Sequence, residues 1–224
     1  MQIKAAIFDM DGTLVDSLLL WDVFWQEFGD RFMGGKKFIP REEDDKATRT
    51  LPMKEVAELI HRRYGFGASG EELLRIVNGI MEKFYSSQVQ MKPGVAEFLE
   101  FLHAKGVKMC IASATAPDLI ALAMKHLRIE KYFSAVFSCG GTGKGKEAPD
   151  IFLKAQAHLG SATEETWVFE DSLVAVQTAH ALGMKTVAVY DRFNYGQEEM
   201  QRIADFYIAQ GDTLMSLPEI EENP

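Results

Sequence analysis

Cysteine is nearly absent from this chain: Cys110 and Cys139 are the two it contains. Two thiols cannot build a disulfide framework, and neither sits in a CxxC or Cys/His spacing that would hold zinc. The expectation is two reduced thiols in a cytoplasmic protein. Positive charge is also in deficit. Lys and Arg number 24 against 33 Asp and Glu, a net charge of -9. That excludes nonspecific nucleic-acid binding, which needs clustered cations against the phosphate backbone. It leaves room for a small phosphorylated partner, because one site can be made locally positive on an acidic protein. No apolar run approaches the ~20 residues of a membrane span, so no membrane partner is expected. No charged segment followed by a long apolar stretch opens the chain, so no signal peptide is expected. Internal repeats and low-complexity segments are lacking, and nothing in the sequence signals an oligomeric state.

What is present is a change of rhythm along the chain. Lys4 to Phe8 is a short apolar run that stops at acidic residues and glycine, the pattern of a buried strand ending in a functional loop. From Ser17 to Phe32, Leu20, Val23, Phe24, Phe28 and Phe32 fall at helical spacing, and Met33-Gly34-Gly35 breaks the helix. Residues 41–87 read as helical throughout. Beyond Pro93-Gly94, helices (95–104, 117–127, 150–159 and 173–182) alternate with strands (107–112, 135–138, 166–169 and 186–190). Such alternation implies a parallel sheet covered on both faces, with ligands at the carboxyl ends of its strands. The expected fold class is α/β. A Rossmann-like parallel core would comprise residues 1–15 and 91–224, and a helical insertion residues 16–90. The acidic tail from Glu219 is expected to fray.

Chemistry-bearing residues gather at those strand ends. Asp9 and Asp11 follow the first strand; two apart in extended chain, they point to one side. They could share a cation, or one could attack phosphorus while the other moves protons. Gly12 permits close backbone approach, and Thr13 can offer its N–H to phosphate. Taken alone, the segment reads equally well as a solvated acidic turn. The strand at 107–112 runs into Ser113-Ala114-Thr115, where a hydroxyl can bond a phosphate oxygen or simply make a turn. The strand at 166–169 runs into Glu170-Asp171-Ser172, where paired acids repel each other unless a cation intervenes. Asp171, Asp9 and the carbonyl of Asp11 would make a minimal Mg2+ site. A helix start that favours acids is the plainer alternative. Gly140 to Glu147 nearly matches a nucleotide-binding P-loop, but Glu147 stands where a metal-binding hydroxyl belongs, which rejects nucleotide cradling. A lysine of this stretch could still neutralise a carboxylate meeting a phosphate.

In order, these features resemble the four motifs of the haloacid dehalogenase-like superfamily. Asp-x-Asp-Gly-Thr-Leu-Val-Asp-Ser runs from Asp9 to Ser17. Ser113 follows its strand, and Lys146 opens Lys-Glu-Ala-Pro-Asp, with Glu147 where relatives often carry proline. Val168 to Ser172 supplies the last motif. The resemblance implies Asp9 as nucleophile and Asp11 as general acid/base that also binds metal through its carbonyl. It implies Ser113 and Lys146 holding the phosphoryl group, with Gly12, Thr13 and Ala114 beside it. Asp171 would ligate Mg2+, with Glu170 as a ligand or just behind one. The second Asp speaks for phosphate chemistry over dehalogenation. The insertion resembles the α-helical cap of the phosphoglycolate phosphatase and β-phosphoglucomutase-like branch, in which a cap closes over substrate and sets specificity. Where the mutase has a histidine this chain has Trp21. Around Thr50 to Lys54 no arginine stands at the aligned place, though Arg49 and Lys54 lie close. Hydrolysis of a small phosphorylated metabolite, such as a sugar phosphate, is therefore the leading expectation. A sugar-phosphate mutase and a noncatalytic phosphometabolite-binding protein are the alternatives. Trp21 and Trp25, the five histidines on predicted helices and the eleven methionines read better as packing or surface than as chemistry.

Overall fold

A computed structural model describes residues 3–17, 19–48, 51–139 and 144–218. Arg49, Thr50, the Gly140–Gly143 part of the glycine-rich run and the acidic tail, all raised by the sequence, lie outside the described residues.

The first strand, β1 (Ala5–Phe8), has every residue buried. Ala-Ala-Ile-Phe has no polar face, so it suits a strand covered on both sides. It pairs in parallel with β2 (Lys108–Ser113), Ile7 opposite Cys110, and with β4 (Thr166–Glu170), Ile7 opposite Val168. With β3 (Val136–Ser138), β5 (Lys185–Val189) and β6 (Phe206–Ile208) the sheet order is β3-β2-β1-β4-β5-β6, all neighbours parallel. Alternate residues of β1 feed opposite layers. Phe8 stacks on Phe169 at 4.4 Å and meets Phe98 of α5 (Val95–Ala104) edge-on. Ala5 and Ile7 join the cluster of Phe152 and Ala155 from α7 (Asp150–Leu159) and Ala175 and Ala179 from α8 (Leu173–Ala181). Each fully buried Phe or Ile of this kind contributes roughly 1.5–3 kcal/mol by apolar transfer. The connections leave β1 toward β2 and β3 on one side and β4 to β6 on the other. The carboxyl end of β1 is therefore the point where strand order reverses, and that is where open α/β sheets bind ligands.

The α/β class and the parallel core match the sequence reading. Two boundaries differ in a useful direction: β2 extends to include Ser113 and β4 to include Glu170, so both side chains are fixed by sheet pairing rather than by loops. The helix α9 (Gln197–Ile203) and the edge strand β6 were not expected. β6 has three residues, too few for a period-2 pattern to stand out.

The chain folds as two compact units, Met1–Ser17 with Val89–Pro224, and Leu18–Gln88. The second holds α1 (Leu19–Phe32), α2 (Glu42–Thr48), α3 (Met53–Tyr64) and α4 (Gly70–Ser87). Its centre is aromatic. Phe28 touches the rings of Phe24, Trp25, Phe38 and Phe66, and Phe38 meets Tyr64 edge-on at 4.8 Å. Trp21 and Trp25 are buried in this cluster, with Trp25 Nε1 donating to Asp45 at 3.2 Å. α4 starts at an N-cap, Ser69, whose hydroxyl accepts from Glu72 N at 3.1 Å, satisfying one orphan amide of the first turn. Among the described residues no helix is long and apolar enough to cross a membrane.

Candidate active site

β1 hands its register directly to the candidate site: Asp9 N donates to Phe169 O at 2.9 Å, continuing the ladder one residue past the strand. The chain then turns sharply, with Leu14 N and Val15 N both donating to Met10 O at 3.0 Å. Gly12 makes the turn possible in two ways. Its φ is +79°, and a Cβ there would collide with the Asp171 carboxylate. Only glycine fits so close to that group. Thr13, fully buried, donates its hydroxyl to Asp171 Oδ1 at 3.3 Å.

Three buried carboxylates meet here. Asp9, Glu170 and Asp171 each offer an oxygen within 4.8 Å of the others. Lys146 reaches in from the loop before α7; its Nζ lies 2.5 Å from Asp9 Oδ1 and also bonds Glu170 Oε1. The other Glu170 oxygen accepts the amides of Asp171 at 3.1 Å and Ser172 at 3.2 Å, at the start of α8. Glu170 thus spends both oxygens on holding Lys146 and the α8 amino end. The Asp9 carboxyl is pushed up to about 7, by burial first and by Glu170 and Asp11 beside it, against the pull of Lys146. Asp171 is raised well above the carboxylate range, by burial first and then by Asp9 and Glu170. Burial lowers the Lys146 ammonium, but Asp9 and Glu170 outweigh it and hold the group charged far above neutrality.

These shifts are a test of fit for a cation. One ammonium against three carboxylates leaves the cluster two charges short of balance when all are ionised. Buried like charges at this spacing remain ionised together only with further positive charge. The donors are all hard oxygens, the set that suits Mg2+ rather than a soft metal. The residues fit a divalent ion of that kind.

Asp11 and Ser113 join through Thr115, a residue that the sequence motifs did not single out. Thr115 Oγ1 donates to Asp11 Oδ2 at 2.5 Å, and Thr115 N donates to Ser113 Oγ at 3.1 Å. Ser138 Oγ in turn donates to Thr115 O at 2.8 Å, pinning the turn to β3. Ser113 is buried, and Ala114 beside it is exposed. The departure at Glu147 has a local use: its carboxylate accepts Gly145 N at 2.9 Å, closing the turn that carries Lys146. Lys144 instead pairs with Asp150 at 3.4 Å on the surface. Cys139 is buried, and burial raises its thiol pKa, which leaves it a poor nucleophile. Asn194 was also missed. Its amide donates to both the carbonyl and Oδ2 of Asp171. No motif marks it, since a single Asn in a loop is common turn chemistry.

A family model described as "Haloacid dehalogenase-like hydrolase" matches residues 6–189. A "Phosphorylated carbohydrates phosphatase" of Thermotoga maritima is 26% identical over 218 residues, 97% of this chain and 99% of that one. A "Phosphoglycolate phosphatase" of Salmonella typhimurium is 27% identical, covering 87% of this chain and 84% of that one. Among solved structures, a HAD-superfamily hydrolase of subfamily IA from Geobacter sulfurreducens superposes with a TM-score of 0.67 at 25% identity. It covers 84% of this chain and 87% of its own.

Proposed function

The chain belongs to the haloacid dehalogenase-like hydrolases, and from that premise we propose that it is a Mg2+-dependent phosphatase of a small phosphorylated metabolite, with a sugar phosphate or similar compound as substrate. The observation that carries the proposal is the Lys146 bridge between Asp9 and Glu170 inside a buried group of three carboxylates. A carboxylate can attack an anionic phosphate only where positive charge offsets both partners, and this ammonium already sits on the attacking oxygen's own carboxylate. The names of the two phosphatase relatives support the substrate class.

In this reading Asp9 attacks phosphorus in line, the bond from phosphorus to the leaving oxygen breaks, and Asp11 delivers a proton to that oxygen. The product is an aspartyl-phosphate on Asp9 and a free alcohol. Asp11, now a carboxylate, takes a proton from water as the water attacks phosphorus, which releases inorganic phosphate and restores Asp9. Lys146 and the Ser113 hydroxyl hold the non-bridging oxygens, with backbone N–H groups of Thr13 and Ala114 alongside and Gly12, whose own N–H donates to Val15 O at 2.9 Å, leaving room for close approach. Thr115, bonded to both Asp11 and Ser113, keeps the acid and the phosphate grip in one frame. Asp9, Asp171 and the Asp11 carbonyl would hold Mg2+, and Glu170 stands behind them as the anchor of Lys146. Bound there, the ion supplies charge that offsets the phosphoryl oxygens. The inserted helical unit serves as the cap and sets which alcohol is accepted.

The test is turnover of p-nitrophenyl phosphate and of a panel of phosphorylated sugars and short acids, with Mg2+ and with chelator. Phosphate release that stops on chelation and returns with Mg2+ is expected; undiminished release in chelator contradicts the reading. Isomerisation of a hexose phosphate with little net phosphate would mark a mutase instead.

A further inference from the structure

The loop after β5 makes contacts that the proposed chemistry does not use. It runs from Asp191 to Gly196, and the large side chains at its tip face solvent: Phe193 is 40% and Tyr195 72% exposed. Apolar burial therefore does not hold this loop in place. Polar contacts do. Asp191, almost fully buried, accepts Lys92 Nζ at 3.1 Å on one oxygen and Phe193 N at 2.9 Å on the other. Lys92 Nζ also donates to Tyr190 O at 3.0 Å. Gln197 Nε2 donates to Asp191 O at 2.9 Å and to Asn194 O at 3.2 Å, closing the loop on itself, and Tyr207 OH from β6 fixes Gln197 by donating to its Oε1 at 2.9 Å. Gly196 lets the loop lie on α8, since a Cβ there would come within 2.5 Å of Leu173.

All of this bracing converges on one inward group. Between two exposed aromatics, Asn194 alone turns in, and its Nδ2 takes the Asp171 carbonyl at 3.0 Å and the Asp171 Oδ2 as well. With Thr13 on Oδ1, both carboxylate oxygens have a fixed neutral donor. Neutral donors matter here. A lysine or arginine in this place would cancel the charge that a metal needs, whereas an amide orients the carboxylate and leaves its charge intact.

We propose that Asn194, braced by Asp191 and Gln197, is a positioning residue that fixes the Asp171 carboxylate in the orientation that binds the divalent ion. The inference rests on the metal reading given above. Outer contacts that orient a metal-binding carboxylate typically change metal affinity by roughly 10–100-fold when removed. Asn194→Ala should therefore raise the Mg2+ concentration for half-maximal thermal protection by about 10-fold. The midpoint in chelator should stay close to that of the unaltered protein, and KM for p-nitrophenyl phosphate at saturating Mg2+ should stay within about twofold, because the phosphate grip lies elsewhere. Gln197→Ala, which loosens the loop without touching Asp171, should shift the Mg2+ response in the same direction by less.

The experiment is thermal unfolding of full-length protein across a Mg2+ titration, read beside direct calorimetric Mg2+ binding. If the unaltered protein responds to Mg2+ and Asn194→Ala responds at the same concentration, this inference is overturned and the metal reading stands. If the unaltered protein shows no Mg2+ response, both fall. Should Asn194→Ala fail to fold, Gln197→Ala decides: a weaker Mg2+ response supports the inference and an unchanged one overturns it.

Discussion

The two compact units of this chain both bury rings but differ in how much charge they bury. The inserted unit buries rings: Phe24, Trp25, Phe28, Phe38 and Phe66 are all at or below 9% exposure. Its charged pairs, such as Lys37 with Asp22 and Arg62 with Glu58, stay largely in solvent. Its deeply buried carboxylate Asp44 accepts the Tyr64 hydroxyl at 2.6 Å. The sheet unit buries rings too, but at one end of the sheet it also buries Asp9, Glu170, Asp171 and Asp191. Burying ionised groups costs free energy unless each is paired. One unit is built for packing; the other carries unfavourable charge at one edge, where the proposed reaction needs it.

That contrast can be broken from either side. Asp9→Asn should lower turnover by on the order of 10⁴-fold, since it removes the attacking group. It should also leave the chelated protein at least as stable as before, because one member of a repelling cluster becomes neutral. An Asp9→Asn protein that keeps most of its turnover, or unfolds more readily in chelator, would undo this half of the comparison. Phe28→Ala should do the reverse. Phe28 is 1% exposed within the aromatic cluster, and such truncations cost about 3–5 kcal/mol. Urea unfolding followed by tryptophan fluorescence can localise the loss. Trp21 and Trp25 lie in the inserted unit and Trp167 in β4, so a Trp167→Phe background reports the inserted unit alone. A transition unmoved by Phe28→Ala would show that the ring cluster does not hold that unit together.

A smaller effect appears with pH. The folded protein holds the Asp9 proton up to about 7, from an ordinary value of 3.8. Folded protein thus binds more protons than unfolded protein across that interval, and stability in chelator should fall as pH rises from about 4 to 7. Lys146 works the other way, at higher pH. Its pKa is raised in the fold, so its contribution is complete below its ordinary value of 10.5 and is lost as pH climbs from there through the folded value. Urea midpoints in chelator should decline through neutrality, and Asp9→Asn should flatten the decline; the same slope in both proteins would remove Asp9 as its source. The smallest effect belongs to the surface of the inserted unit. Lys83→Ala removes an exposed pair with Glu27 at 3.0 Å and should change stability by no more than about 1 kcal/mol, with salt titration as the check.

The same contrast governs what could be read from sequence. Buried strands that stop at acids, hydroxyls or glycine are local patterns, so five of the six parallel strands and the residues Asp9, Ser113, Glu170 and Asp171 at their ends were legible, whereas α9 and the three-residue β6 were not. The bond from Lys146 to Glu170 spans 24 residues and that from Thr115 to Asp11 spans 104. Such partners are set by strand register and loop path, which no local pattern encodes. Asn194 was illegible for another reason: its signal is one polar residue in a turn, and only the position of Asp171 gives it meaning. The ring cluster of the inserted unit was legible as helical periodicity for α1, where Phe24 and Phe28 recur at i and i+4. Phe38 and Phe66, which complete it from loops, have no period.

The central claim is that Asp9 carries the phosphoryl group during turnover, and hydroxylamine can test it directly. An aspartyl-phosphate is an acyl phosphate, and hydroxylamine displaces phosphate from it to leave a hydroxamate on the carboxyl carbon. Protein turning over p-nitrophenyl phosphate with Mg2+ should acquire this modification at Asp9, located by peptide mass spectrometry, and should lose it without substrate or with chelator. Steady phosphate release with no hydroxamate at Asp9, or with the modification on a different carboxylate, would contradict the account.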